Sequence, residues 1–254
     1  MGERERKAEK GNSITEGISY FIEDGVCYLF FGGEGKFLTF SSDKLESLYD
    51  FFSRSIDDKS FDLVVIQSLH ESVFLAGADV YELVNFTSFS ARVFSERGHR
   101  LFNLMEFMPK IIVAVVRGYA LGGGFDFLMA CDLRIGTEKA VIGQTACKMG
   151  IITGFGGTKR LPLLVGATKA KELFFRAKVM SASEAYKLGV LNCLVSESEI
   201  EAFLRDFIDL LRERGGFARY KPILKTFLNY SGCLRWRISN IINNYYVGGL
   251  DGVN

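Results

Sequence analysis

Two stretches of the chain join a short apolar run to a turn of small residues and then to a helix start. The first is Leu63-Val-Val-Ile66, a loop, and Phe74-Leu-Ala-Gly-Ala-Asp-Val80. The second is Ile111-Ile-Val-Ala-Val-Val116, followed by Gly118-Tyr-Ala-Leu-Gly-Gly-Gly124. The first backbone N–H groups of a helix have no partner inside it, and the helix dipole adds positive potential there. Small residues let a ligand oxygen approach that backbone closely. Two such turns side by side would supply two convergent N–H donors. That is an oxyanion hole, suited to an enolate or to a tetrahedral thioester intermediate. Tight packing of helices on strands calls for the same glycines, so spacing alone leaves both readings open.

Other chemistries find little support. Gly154-Phe-Gly-Gly-Thr-Lys159 is not a dinucleotide fingerprint, and Gly32-Gly-Glu-Gly-Lys36 lacks the spacing and the Ser/Thr of a phosphate loop. His70 and His99 are the only histidines, which excludes a histidine-rich metal site, and no GxSxG elbow accompanies them. The five cysteines, Cys27, Cys131, Cys147, Cys193 and Cys233, are widely spaced without a CxxC pair. Neither a disulfide framework nor a metal site is expected, and a reducing, cytoplasmic setting fits.

The elements that must carry these turns follow from periodicity. Ile18–Ile22 and Val26–Phe31 flank Asp24-Gly25 and predict a β-hairpin. Leu63–Ile66 and Ile111–Val116 are fully apolar, as strands buried on both faces are. Leu133–Ile135 and Ala140–Ile142 predict short strands. Helical spacing marks Leu45–Phe52, Ser90–Met108 (stopped by Pro109), Lys169–Ala177, Ser183–Leu188, Glu199–Arg214 and Pro222–Leu228, with a helix after Gly124 to about Ala130. Strands alternating with helices give an α/β fold. Residues 1–13 have too little apolar content to pack and are expected to form a mobile tail, with a core over 14–200 and a helical region over 201–254.

Composition bounds the partners. The 254 residues carry 31 basic and 30 acidic side chains, a net charge of +1, which gives no bulk electrostatic reason to expect nucleic acid. No apolar run approaches the roughly 18–20 residues that would span a bilayer, so no membrane partner is expected either.

The residues also resemble a known family. Phe74–Val80 is similar to the FSAGADL segment of the crotonase (enoyl-CoA hydratase/isomerase) superfamily. Lys110–Asp132, KIIVAVVRGYALGGGFDFLMACD, resembles its second signature, and Ile142-Gly-Gln-Thr with Met149–Leu161 its third. The likeness spans about residues 18–230. It implies a spiral of ββα turns, a homotrimer or hexamer, and an acyl-CoA substrate, with no cofactor beyond the CoA that the substrate carries and no metal. The thioester oxygen would take the backbone N–H groups of Ala78 and Gly123. Lys36, Leu38, Ala76, Asp79, Val80, Leu121, Gly122, Thr145, Ala146, Met149 and Lys225 would line the substrate site. Arg212, Arg214, Arg219, Lys221, Lys225, Arg235 and Arg237, against Glu213, form a basic run suited to a phosphorylated nucleotide or simply to a solvated helix face.

The departures from the family pattern bear on the reaction. Hydratases of this family use two glutamates. Asp126 stands at the first position, one methylene short, and Ala146 at the second, where no proton can be held. Loss of one acid or base typically lowers a rate 10²–10⁴-fold, about 3–5 kcal/mol of barrier. The sequence therefore implies a lyase or isomerase of the family with Asp126 as its one remaining acid/base at these positions, placed to face the thioester α-carbon. A helix-start cap is the structural alternative for Asp126. Residues 143–150 also resemble the naphthoate-synthase branch, so decarboxylation or carbon–carbon chemistry is an alternative reaction. An acyl-CoA or acyl-carrier binding protein without turnover is an alternative function.

Overall fold

The structure is a computed structural model that describes residues 8–32 and 38–213, together with Arg6 and Lys221. In chain order, β1 (Asn12–Thr15), β2 (Ile18–Glu23) and β3 (Val26–Phe31) lead into α1 (Ser42–Ser55). Then come β4 (Leu63–Ser68), β5 (Val73–Leu75), α2 (Val80–Leu83) and α3 (Ser88–Phe107), followed by β6 (Ile111–Val116), β7 (Tyr119–Leu121) and α4 (Gly123–Ala130). The third unit is β8 (Leu133–Thr137), β9 (Val141–Gly143), a 3-10 turn (Ala146–Met149), α5 (Gly157–Val165) and α6 (Ala167–Phe175). The described chain continues through β10 (Val179–Ser181), α7 (Ala182–Lys187), β11 (Cys193–Val195) and α8 (Ile200–Glu213).

The repeat is physical. In each of three successive units the first strand joins a seven-stranded sheet of order β1-β2-β3-β4-β6-β8-β11, and the second joins a four-stranded sheet of order β10-β9-β7-β5. The chain then crosses through helix to the next unit. β3, β4, β6, β8 and β11 run parallel, Leu63 opposite Ile111 and Val113 opposite Leu133, which requires such crossovers. Both faces of the parallel strands are covered. Val26, Leu63, Val65, Val113, Val115 and Ile135 pack against Ile200, Leu204 and Ile208 of α8. The opposite face meets the helices through a phenylalanine-rich core, in which Phe40, Phe102, Phe127 and Phe155 stand with ring centroids 5.5–6.2 Å apart. No helix among the described residues is long and apolar enough to cross a membrane.

Several expectations change. The tail is shorter than 13 residues, because Asn12 and Ser13 pair antiparallel with Tyr20 and Ser19. β5, β7, β10 and β11 are three-residue strands that the sequence reading does not mark, whereas β9, just as short, falls close to the expected Ala140–Ile142. α5 forms over Gly157–Val165 although Pro162 lies inside it. The predicted helix at Pro222–Leu228 falls outside the described residues.

Candidate active site

The two small-residue turns meet. Phe40 forms a parallel bridge to Ala78: its N–H donates to Gly77 O (2.7 Å) and its carbonyl accepts from Asp79 N (2.8 Å). Parallel pairing of that kind turns the N–H of Ala78 to the other side. There lies Gly123, the first residue of α4, whose N–H has no partner within the helix. The approach is backbone to backbone. A Cβ at Gly77, where φ is +102°, would lie 2.9 Å from Leu121 O and 3.3 Å from Gly123 N. One at Gly123 would lie 3.4 Å from Ala78 N. Only glycine at 77 allows both the dihedral and the contact. Ala78 and Gly123 are half-buried, and the Phe155 ring packs against Gly123.

Asp126 lies one turn into α4, its N–H bonded to Gly122 O at 3.0 Å. Its side chain has no exposed surface. One carboxylate oxygen accepts from Gln144 Nε2 and the other from Thr153 Oγ1. A further bond comes from the backbone N–H of Phe155, and the Arg160 guanidinium stands nearby. Burial pushes the Asp126 pKa up to about 6, and only in part do Thr153, Arg160, Phe155 and Gln144 oppose it by favouring the anion. Gly157 makes room for this arrangement, since a Cβ there would overlap Asp126 Oδ1. Arg160 is itself fixed by Glu106 (3.1 Å), Asn103 (3.0 Å) and the Phe155 carbonyl (2.8 Å). Gln144 Nε2 also reaches Gly122 O at 3.4 Å, so a single amide spans the carboxylate and the residue before Gly123.

A cavity of about 230 Å3 opens beside this cluster, lined by Gln144, Ala146, Cys147, Ile151, Ile152, Thr153, Thr158, Phe174 and Phe175. Ala146, with no side-chain proton to give, sits in its wall. The structure does not bring together everything the sequence suggested. Asp126 is sealed from the cavity instead of facing it openly. The Leu38 side chain belongs to the core, 2% exposed. Asp79 caps α2, accepting from Tyr81 N and Glu82 N. Lys221 is buried against Asp132 (2.6 Å) and two backbone carbonyls, and so leaves the exposed basic run. Ala76, Leu121, Gly122 and Thr145 are half-buried near the turns, while Val80 and Met149 are exposed. Lys36 and Lys225 lie outside the described residues. Gln144, Thr153, Phe155 and Arg160, which bond or face the Asp126 carboxylate, have no site role in the sequence reading. A lone hydroxyl before Gly-Phe-Gly-Gly was the one available signal.

A spiral of ββα units, each sending one strand to either sheet, is the crotonase-type fold. Comparison with known proteins agrees. The Enoyl-CoA hydratase/isomerase family profile matches residues 22–218. A crotonyl-CoA hydratase of Syntrophomonas wolfei subsp. wolfei is 34% identical over 203 residues, which cover 80% of this chain and 78% of that protein. A short-chain-enoyl-CoA hydratase of Clostridium acetobutylicum is 37% identical over 160 residues, 63% of this chain and 61% of the relative. Among solved structures, an enoyl-CoA hydratase from Bacillus anthracis superposes with TM-score 0.82 at 25% identity, covering 94% of this chain and 92% of the other. The chain belongs to the enoyl-CoA hydratase/isomerase family.

Proposed function

We propose that the protein acts on acyl-CoA thioesters by way of a thioester enolate, the enolate oxygen held by the N–H groups of Ala78 and Gly123 and the proton by Asp126. The observation that carries this reading is the backbone contact between the two turns, with a buried carboxylate one helical turn beyond Gly123. The apolar lining of the neighbouring cavity, Ile151, Ile152, Phe174 and Phe175, suits the acyl part of such a substrate. No metal or further cofactor enters the proposal. Relatives named as hydratases support water addition as the starting point. Ala146 argues that hydration of a simple enoyl-CoA is slower here by at least about 100-fold.

A second reading has its own observation. Ala146 and the sealed Asp126 suit a protein that binds acyl-CoA without turnover. The experiment that separates the two is incubation of the purified protein in D2O with a panel of saturated and unsaturated acyl-CoAs, followed by mass spectrometry of substrate and products. Deuterium at the α-carbon or a new product supports the enolate reading. Tight binding with neither supports the second, and absence of binding removes both. A trimer or hexamer is proposed from the family likeness, and a light-scattering mass near the 28.4 kDa of one chain would refute it.

A further inference from the structure

Arg160 carries a permanent charge into the core, 3% exposed, and binds several groups there. Its Nε stands 3.1 Å from Glu106 Oε1. One terminal nitrogen donates to Glu106 Oε2 (3.2 Å) and Asn103 Oδ1 (3.0 Å), the other to the Phe155 carbonyl (2.8 Å). Glu106 and Asn103 belong to α3, so the guanidinium ties that helix to the chain entering α5. Phe155 is the residue so held. Its backbone N–H donates to Asp126, and its ring lies against Gly123, where a Cβ would meet it at 3.0 Å. One buried cation therefore fixes a residue that touches both the carboxylate and the donor turn. The same cation acts on the carboxylate itself. Consecutive glycines leave room for the two groups: a Cβ at Gly156 would overlap Arg160, and one at Gly157 would overlap Asp126 Oδ1.

We propose that Arg160 is a positioning residue for the enolate chemistry, and that the balance between Arg160 and Glu106 sets the pH range over which Asp126 takes up and releases its proton. The proposal rests on the enolate reading above. Burial favours the neutral carboxyl, and a nearby cation favours the ionised one. At Asp126 burial is the larger effect, and Arg160 is the charged group that opposes it. The other titratable side chains on the elements packed against α4 are engaged elsewhere. On α3, Arg92 pairs with Glu96, Arg97 with Glu46, and Arg100 lies over the Tyr49 ring. His99, beside Gly156, is held below its ordinary pKa by burial and then by the charges of Arg160 and Lys159. Tyr119 of β7 is exposed, and β5 has no titratable residue. Glu106 carries the opposite charge to Arg160 and cancels part of its field. Neutralising Glu106 alone leaves the cation unopposed, which favours the Asp126 anion and lowers the pH at which the proton is taken up. Neutralising both groups removes the net attraction for the anion and raises that pH. A role confined to packing gives no such reversal of direction.

The test uses the full chain, with Glu106→Gln and with the double variant Glu106→Gln/Arg160→Gln, which leaves neither member of the pair charged. The rate of α-deuterium incorporation into butyryl-CoA in D2O is followed by mass spectrometry across the pH range around neutrality. The proton affinity of Asp126 is read in parallel without turnover, from denaturant melts of each protein against its own Asp126→Asn counterpart over the same range. Wild type is expected to show an inflection near 6 by both readouts. Glu106→Gln is expected to move both inflections down by about half a pH unit or more, and the double variant to move both up by as much. If Glu106→Gln does not fold, the double variant against wild type carries the test. Inflections that match wild type, that move the same way in both variants, or that move down in the double variant overturn the proposal and leave the enolate reading standing. A shift seen in the melts alone also overturns it, because the pair then acts on the fold and not on the reaction. A wild-type protein that binds butyryl-CoA but exchanges no faster than buffer overturns the enolate reading and the proposal with it.

Discussion

Replacement of Asp126 by asparagine should separate what this side chain does for the fold from what it does for chemistry. The carboxyl pKa rises from 3.8 to about 6 on folding. A folded pKa above the unfolded one means that the native state holds the proton more tightly. Its stability contribution is therefore fully present at low pH, declines as pH rises from about 4 to about 6, and is absent above that. At roughly 1.36 kcal/mol per pKa unit, ionised Asp126 at pH 8 leaves the fold about 2 kcal/mol less stable than at pH 4.5, an order-of-magnitude figure. Asparagine carries no such charge. Its amide group faces donors that served the carboxylate, but Gln144 can turn its own amide over and offer the unpartnered Oε1 to the new N–H2. The stability of Asp126→Asn relative to wild type should thus improve by about 2 kcal/mol between pH 4.5 and pH 8, while α-proton exchange falls at least about 100-fold. Affinity for acyl-CoA should stay within about threefold, roughly 0.6 kcal/mol, because the proposed oxyanion hole is made of backbone. Denaturant melts of both proteins at the two pH values measure the first quantity, and the difference between them cancels every other titrating group. A difference that is flat with pH refutes the buried-carboxylate argument. Exchange at the wild-type rate refutes the role of Asp126 in proton transfer.

Three other outcomes follow from the same geometry. Calorimetry with crotonyl-CoA and acetyl-CoA should give micromolar to sub-millimolar dissociation constants, about −5 to −8 kcal/mol, and no heat with either compound would remove the thioester site. Ala146→Glu should raise hydration of crotonyl-CoA by an order of magnitude or more, since it restores a proton-handling group at the cavity wall. A variant that binds as wild type without a gain in rate would count against that placement. Adding Asp126→Glu should not help further, because an extra methylene must enter a site with no free surface at a cost of about 1–3 kcal/mol. Gly77→Ala should lower stability by roughly 1–3 kcal/mol and weaken acyl-CoA binding, because it combines φ +102° with a Cβ only 2.9 Å from Leu121 O. An unchanged melt and affinity would show that the contact between the two turns is not needed.

What the sequence made legible was what depends on local pattern. Ile111–Val116 forms a strand with the predicted bounds. The two glycine turns read as donors because a helix start and small residues are both visible in a row of letters. The three-residue strands β5, β7, β10 and β11 were invisible for the opposite reason. Each exists because a neighbouring strand supplies its hydrogen bonds, in the four-stranded sheet for β5, β7 and β10 and in the seven-stranded sheet for β11, and that neighbour lies tens of residues away. The same limit decided the reading of Asp126. Its position after Gly-Gly-Gly-Phe places it one turn into a helix, which suggests an exposed base, and Phe125 and Phe127 hint at burial without saying how complete it is. Gln144, Thr153 and Arg160, which settle its environment, come from three other parts of the chain, 18, 27 and 34 residues on. A sequence that had lost its second acid and nothing else would leave a carboxylate facing an apolar hole. Here the loss at Ala146 comes with a hydroxyl at Thr153 bonded to the surviving carboxylate. The two departures from the family pattern therefore meet at one place in the fold: Ala146 and Thr153 line the same cavity, and Asp126 lies behind the threonine.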